Sequence, residues 1–158
     1  MAQDNLQYGR RDGGPRNKIF TFPVGASEVF KKKGGGFVTI DANGRVEIAI
    51  AGDVDVIGYA LLNEDRTASA TEGGDTVRVD LSTESVYEVP INTGTWADTM
   101  RGKLCDLSVV SGIQGVDLTA SGEDVVQLID KGTTNTAGTV VSVLCRLHAR
   151  TLVPAGVV

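Results

Sequence analysis

From Gly36 to Ala149 the chain is a succession of short apolar runs, each ended by glycine, asparagine, aspartate or serine, and no run is long enough to be a helical crossover. That punctuation limits the fold more than any other feature. Within the runs the period is two. Thr76-Val77-Arg78-Val79-Asp80-Leu81 puts Val77, Val79 and Leu81 on one face and Arg78 and Asp80 on the other, and Ser85 to Ile91 places Tyr87, Val89 and Ile91 inward. The apolar face is expected to be core and the other wet. Phe37-Val38-Thr39-Ile40 and Arg45–Ile50 flank Asp41-Ala42-Asn43-Gly44 as a hairpin, with Asn-Gly predicted to supply positive φ values. Further strands are expected over 18–24, 53–62, 103–110, 116–120, 125–130 and 139–149, with helical turns at most within 26–33 and 94–101. A parallel sheet is not expected, because parallel neighbours usually need a helical crossover. The fold class is therefore all-β, a small antiparallel β-barrel or β-sandwich with an extended N-terminal arm.

A chain of 158 residues suits one core. The reading is an extended basic arm over 1–17 and a single β domain over 18–158. Hydrophobic residues make up 41% but aromatics only 5%, so the core must be aliphatic. The 20 glycines follow no three-residue period, which excludes collagen and assigns them to turns. No apolar stretch approaches the roughly 18–20 residues of a membrane span, so no membrane partner is expected. Met1 to Tyr8 lack the charged-then-apolar pattern of a secretory leader, so export by that route is not expected.

Charge is distributed unevenly. Residues 1–33 hold Arg10, Arg11, Arg16, Lys18, Lys31, Lys32 and Lys33 against Asp4, Asp12 and Glu28, a surplus of four positive charges. The total is −5, so the remainder carries nine net negative charges. A basic leader on an acidic body suits docking on a negatively charged surface, and those seven cations are the candidate partner-binding residues. Residues 1–17 show no apolar periodicity, so the arm is expected to add little to the core.

Residues that carry chemistry are sparse. His148 is the one histidine, and alternation sets it beside Arg146 and Arg150 without a converging carboxylate. Cys105 and Cys145 share parity with apolar neighbours, so both are expected to be buried, reduced and inert. Asp53 and Asp55 lack the further oxygen ligands of a calcium loop. Gly34-Gly35-Gly36 follows three lysines, but no Lys-Ser/Thr comes after it, so a mobile basic turn is expected where a phosphate loop is not. Nucleic acid is not expected as a partner, because stacking aromatics are few and the body is acidic. Catalytic residues, metal ligands, cofactors and a small-molecule substrate are all expected to be absent.

The basic Gly/Arg arm, Gly58-Tyr59-Ala60-Leu61-Leu62, Gly102-Lys103-Leu104-Cys105-Asp106-Leu107 and the Gly115-Val116-Asp117-Leu118 segment together resemble the decoration, or cement, proteins of tailed-phage heads. The resemblance spans most of residues 19–150 and lies in segment order and texture. It implies a β domain, often trimeric, that binds the major capsid protein on the capsid exterior and stabilises the shell without catalysis. Two other classes share the composition or size: a tail or fibre-associated virion domain, and a small trimeric deoxyuridine-triphosphate hydrolase. The glycine-rich phosphate arm of that hydrolase is not matched by Arg150 to Val158.

Overall fold

The structure, a computed structural model, describes residues 9–12, 18–133, 135–136 and 138–148. In chain order the strands begin with β1 (Gly9–Asp12), β2 (Ile19–Pro23), β3 (Val29–Phe30), β4 (Phe37–Ile40) and β5 (Val46–Ile48). They continue with β6 (Val56–Ala60), β7 (Arg66–Thr67), β8 (Thr76–Asp80), β9 (Val86–Thr93) and β10 (Leu104–Val110). The last are β11 (Ile113–Asp117), β12 (Val126–Lys131), β13 (Asn135–Thr136), β14 (Thr139–Val140) and β15 (Ser142–Leu147). A single turn of 3-10 helix at Asp98–Met100 is the helical element among the described residues between β9 and β10. The all-β class stands as read from the sequence.

Two larger sheets position everything else. The first has the order β2-β8-β6-β4-β5, antiparallel throughout. A parallel bridge between Val24 and Val46 draws its two edges toward each other. The second runs β9-β11-β10-β12-β15, and β15 pairs again with β9, so it closes into a five-stranded ring. The β9–β11 pairing is parallel, contrary to the expectation of antiparallel neighbours only. Its cause is that β10 acts as the return stroke: it hairpins into β11, which inserts beside β9, so no helix is required.

Each sheet has its own core. Inside the ring lie Tyr87, Val89, Leu107, Val116, Val126, Leu128 and Val143, joined by Phe37, Val56 and Tyr59 from the first sheet. The second cluster holds Val24, Phe30, Val38, Ile57, Val79 and Leu81. Its cover comes from the β3–β7 ribbon, which supplies Phe30. Full burial of each Val or Leu is worth roughly 1.5–3 kcal/mol, so the aliphatic composition is sufficient. Strand β6 is buried along its whole length because Ile57 and Ala60 face one core while Val56 and Tyr59 face the other. A bulge between Val38 and Thr39 in its pairing with β4 permits that division.

Several local expectations are corrected. Residues 26–33 form a turn and β3, not helix. The 41–44 hairpin is present, but among its residues Gly44 alone has positive φ, at 77°. Asp41 accepts the Gly44 amide and donates to the Arg45 carbonyl, so the loop contains three residues and ends in a left-handed glycine. Asp80, expected to be wet, is fully buried. Its carboxylate accepts from the Ser82 amide at 2.9 Å and the Ser85 hydroxyl at 2.6 Å, bracing the joint between β8 and β9. Glu88, the outward residue of β9, is also fully buried, with Ser142 and Thr133 donating to it at 2.8 Å each. The expected strand over 139–149 is divided into β14 and β15. Four residues of the arm form β1 on β9, where the sequence pattern suggested no element.

Candidate interaction surface

The lysine run sits on the segment joining β3 to β4, where a mobile basic turn was expected and where the glycines are buried and hydrogen-bonded. Gly34, Gly35 and Gly36 are all buried between the two sheets. A Cβ on Gly34 would lie 3.0 Å from the Gln114 amide nitrogen, on Gly35 2.5 Å from Gln114 Oε1, and on Gly36 2.9 Å from the Ala60 carbonyl. A side chain at Gly35 would displace the Gln114 carboxamide, and one at Gly36 would collide with β6 beside it. Glycine is required here for close approach.

Gln114, on β11, is the partner of this wedge. Its carboxamide accepts from the Phe37 amide at 2.9 Å and donates to the carbonyls of Phe37 at 2.9 Å and Ala49 at 2.7 Å. Its backbone carbonyl accepts from the Gly35 amide at 2.7 Å. One buried glutamine of the ring therefore satisfies backbone groups at β4 and just after β5 of the first sheet. Beside it, Tyr59 and Tyr87 stack with centroids 4.0 Å apart, and Phe37 meets both rings edge-on. Burial first, then the Asp80 charge, pushes the Tyr87 phenol well above its ordinary value.

The wedge carries the cations outward. Asp65 accepts from the Lys32 amide at 2.8 Å and pairs with Lys31 Nζ at 3.6 Å. The Lys32 amide, followed by the charges of Lys31 and Lys33, holds the Asp65 carboxyl below its ordinary value. Lys33 is exposed. Next to the wedge lies the β10–β11 hairpin, since the Cβ position of Gly34 is 3.1 Å from Ile113 Cγ2. Ile113 pairs with Val110, and Gln114 with Val109. Val109 and Val110 are 36% and 51% exposed, and Ile50, which follows Ala49, is 56% exposed. Through Gly34 and Ile113 the lysine run thus adjoins a hairpin that carries exposed aliphatic side chains.

The other candidate cations lie elsewhere in the fold. Lys18 is exposed at the entrance to β2, where its carbonyl accepts from the Leu81 amide. Arg10 and Arg11 belong to β1, where the backbone alone is described, and Arg16 lies outside the described residues. His148 and Arg146 are exposed, as alternation required, and Arg146 donates twice to Gln127 Oε1 at 2.9 and 2.6 Å. Arg150 lies outside the described residues. Among the described residues no group of three or more His, Cys, Asp or Glu is placed to hold a metal ion. Both cysteines are free and buried, on strands separated by β12. Burial, with the charges of Asp106 and Asp117 behind it, pushes the Cys105 thiol up to about 12. Asp53, expected at a strand entry, instead accepts from the Ile50 amide at 2.7 Å and closes the turn before β6.

Sequence reasoning found the lysines and missed what holds them. A lone glutamine between Ile113 and Gly115 in an apolar strand was the available signal for a buried polar bridge. No family model, curated protein or solved structure matches the chain.

Proposed function

We propose that the protein is a structural virion component that binds the exterior of a tailed-phage capsid and stabilises the shell. The observation that carries the reading is the fixed Lys31–Lys33 platform beside exposed Val109 and Val110. A preorganised loop loses little entropy on binding, its aliphatic neighbours supply contact area, and its cations steer it to acidic partner surfaces. The resemblance of the arm and of the Gly58 and Gly102 segments to decoration proteins adds to this. A ligand that touches several capsid subunits stabilises the assembled shell by mass action, and multivalent contact makes modest single contacts sufficient.

The test is sedimentation with purified particles, imaged with and without the protein. Lys31→Glu/Lys33→Glu is expected to weaken retention about a hundredfold, as loss of about 3 kcal/mol would, and rising salt is expected to weaken the wild type more than this variant. Density on the tail or fibres would assign the protein there. Failure to bind particles, with hydrolysis of nucleoside triphosphates in magnesium, would replace the reading by an enzymatic one.

A further inference from the structure

Strand β9 offers one edge to two different neighbours. Its opposite edge is taken by β15, which pairs from Tyr87 to Pro90. On the first edge β11 pairs at Ile91 and Thr93 only. The N-terminal part of that edge, Val86 to Glu88, is filled by β1, with Gly9 opposite Glu88, Arg10 opposite Tyr87 and Asp12 opposite Val86. Among the described residues strand β1 has no other strand neighbour. It is joined to β2, which belongs to the other sheet, through residues 13–18.

We propose that β1 is an exchangeable strand: its slot on β9 is filled by the arm of the same chain at low concentration and by the arm of a second copy when copies are crowded. Backbone pairing carries no sequence information, so a neighbour's arm makes the same bonds in the same slot. Exchange of an identical element between copies is a low-cost route to oligomers for that reason. Without β1 this stretch of the β9 edge would lack a strand partner among the described residues. The connecting sequence is short and reads Gly13-Gly14-Pro15-Arg16-Asn17-Lys18. A residue before proline disfavours the helical basin, and short hinges favour exchange over return. A short tether gives an effective concentration in the millimolar range, so exchange should prevail when copies are packed more densely than that.

The experiment uses the full chain and no particles, so its outcome is separate from that of the proposed function. Solution mass is measured by light scattering from micromolar to millimolar concentration for three proteins. These are the wild type, a variant lacking Gly13 and Gly14, and a variant with a Gly-Ser insertion after Gly14. The deletion is expected to lower the dissociation constant of the oligomer at least about tenfold, and the insertion to raise it by a similar factor. Two differently tagged wild-type pools, mixed at high concentration, should yield mixed oligomers. If the deletion fails to fold, the wild type and the insertion variant decide the matter. Monomers at every concentration, or oligomers indifferent to linker length, would overturn the proposal.

Discussion

In the ring every strand has a partner on both sides, whereas the first sheet stops at β2 and β5 and meets itself only at the Val24–Val46 bridge. The ring therefore has little edge to protect, and the sheet must protect its own. It does so partly by leaning on the ring, because β4 and β6 send Phe37, Val56 and Tyr59 into the ring's core. The difference makes the junction, rather than either core, the place where the two units become one cooperative structure.

The largest effect is expected at that junction. Gln114→Leu removes the side-chain partner of the Phe37 amide and of the Ala49 carbonyl, both at a buried site, and leaves the Phe37 carbonyl with the Ala49 amide alone. A buried polar group left unsatisfied costs about 1–3 kcal/mol, so a loss of about 3 kcal/mol or more is expected in urea unfolding. If the sheet and ring are coupled through Gln114, unfolding should also split into two transitions. A loss below about 1 kcal/mol would mean that the aromatic stack alone joins the units. Gly58→Ala probes the sheet side. A Cβ there would collide with the Asp80 carbonyl and lie 2.8 Å from Val79 Cγ1. Overpacking of this kind costs about 1–3 kcal/mol, and the β6–β8 pairing should show it first in hydrogen exchange.

Much of this architecture was legible in the sequence, and the failures share a cause. The alternation of Val77, Val79 and Leu81 and of Tyr87 and Val89 located core faces, because period-two burial acts on each strand separately. It mislabelled Asp80 and Glu88, because alternation assigns the second face to water, whereas packing between sheets and around a closed ring can bury both faces. The lysines of the candidate site were legible as charge. Their rigidity was not, because glycines that permit close approach and glycines that permit mobility have the same letter. Gly34 and Gly35 acquire their meaning from Gln114, which is 77 residues from Phe37 in sequence, and Gly36 from Tyr59 and Ala60 of β6.

Within the ring, Asp106 gives a smaller effect that depends on pH. Its carboxylate accepts from the amides of Gly122, Glu123 and Asp124 at 2.8, 2.9 and 2.9 Å, holding the loop between β11 and β12. Burial by itself would raise its pKa, but hydrogen bonds from the Glu123 carboxyl and these amides outweigh it and leave the value lowered. A lowered folded value means that the stabilisation is complete above the unfolded value near ~3.9 and is lost as pH falls through the folded one. Asp106→Asn is expected to cost about 1–2 kcal/mol at neutral pH, and the gap from wild type should close in strong acid. A gap that stays constant down to about pH 2 would assign the cost to packing instead of charge.

The smallest effect on stability is expected at the sheet's open edge, where the contrast with the ring is sharpest. The Lys18 carbonyl accepts from Leu81 and the Val24 amide donates to the Asp75 carbonyl, so even-numbered residues of β2 bond β8. Odd-numbered residues, Ile19, Thr21 and Pro23, turn their backbone groups the other way. Pro23 thus lies where its missing N–H costs no ladder bond and denies one to an incoming strand. Phe20, half exposed on the same strand, would reward such a strand with apolar contact. Pro23→Val should change the unfolding free energy by less than about 1 kcal/mol, since relaxing the unfolded chain and improving strand propensity oppose each other. Its effect should appear in association: light scattering should show a concentration-dependent rise in mass for the variant, and replacing Phe20 by lysine in the same chain should suppress it. If the variant instead stays as dispersed as the wild type, the edge is protected by something other than Pro23, and the sheet resembles the ring more closely than its strand order suggests.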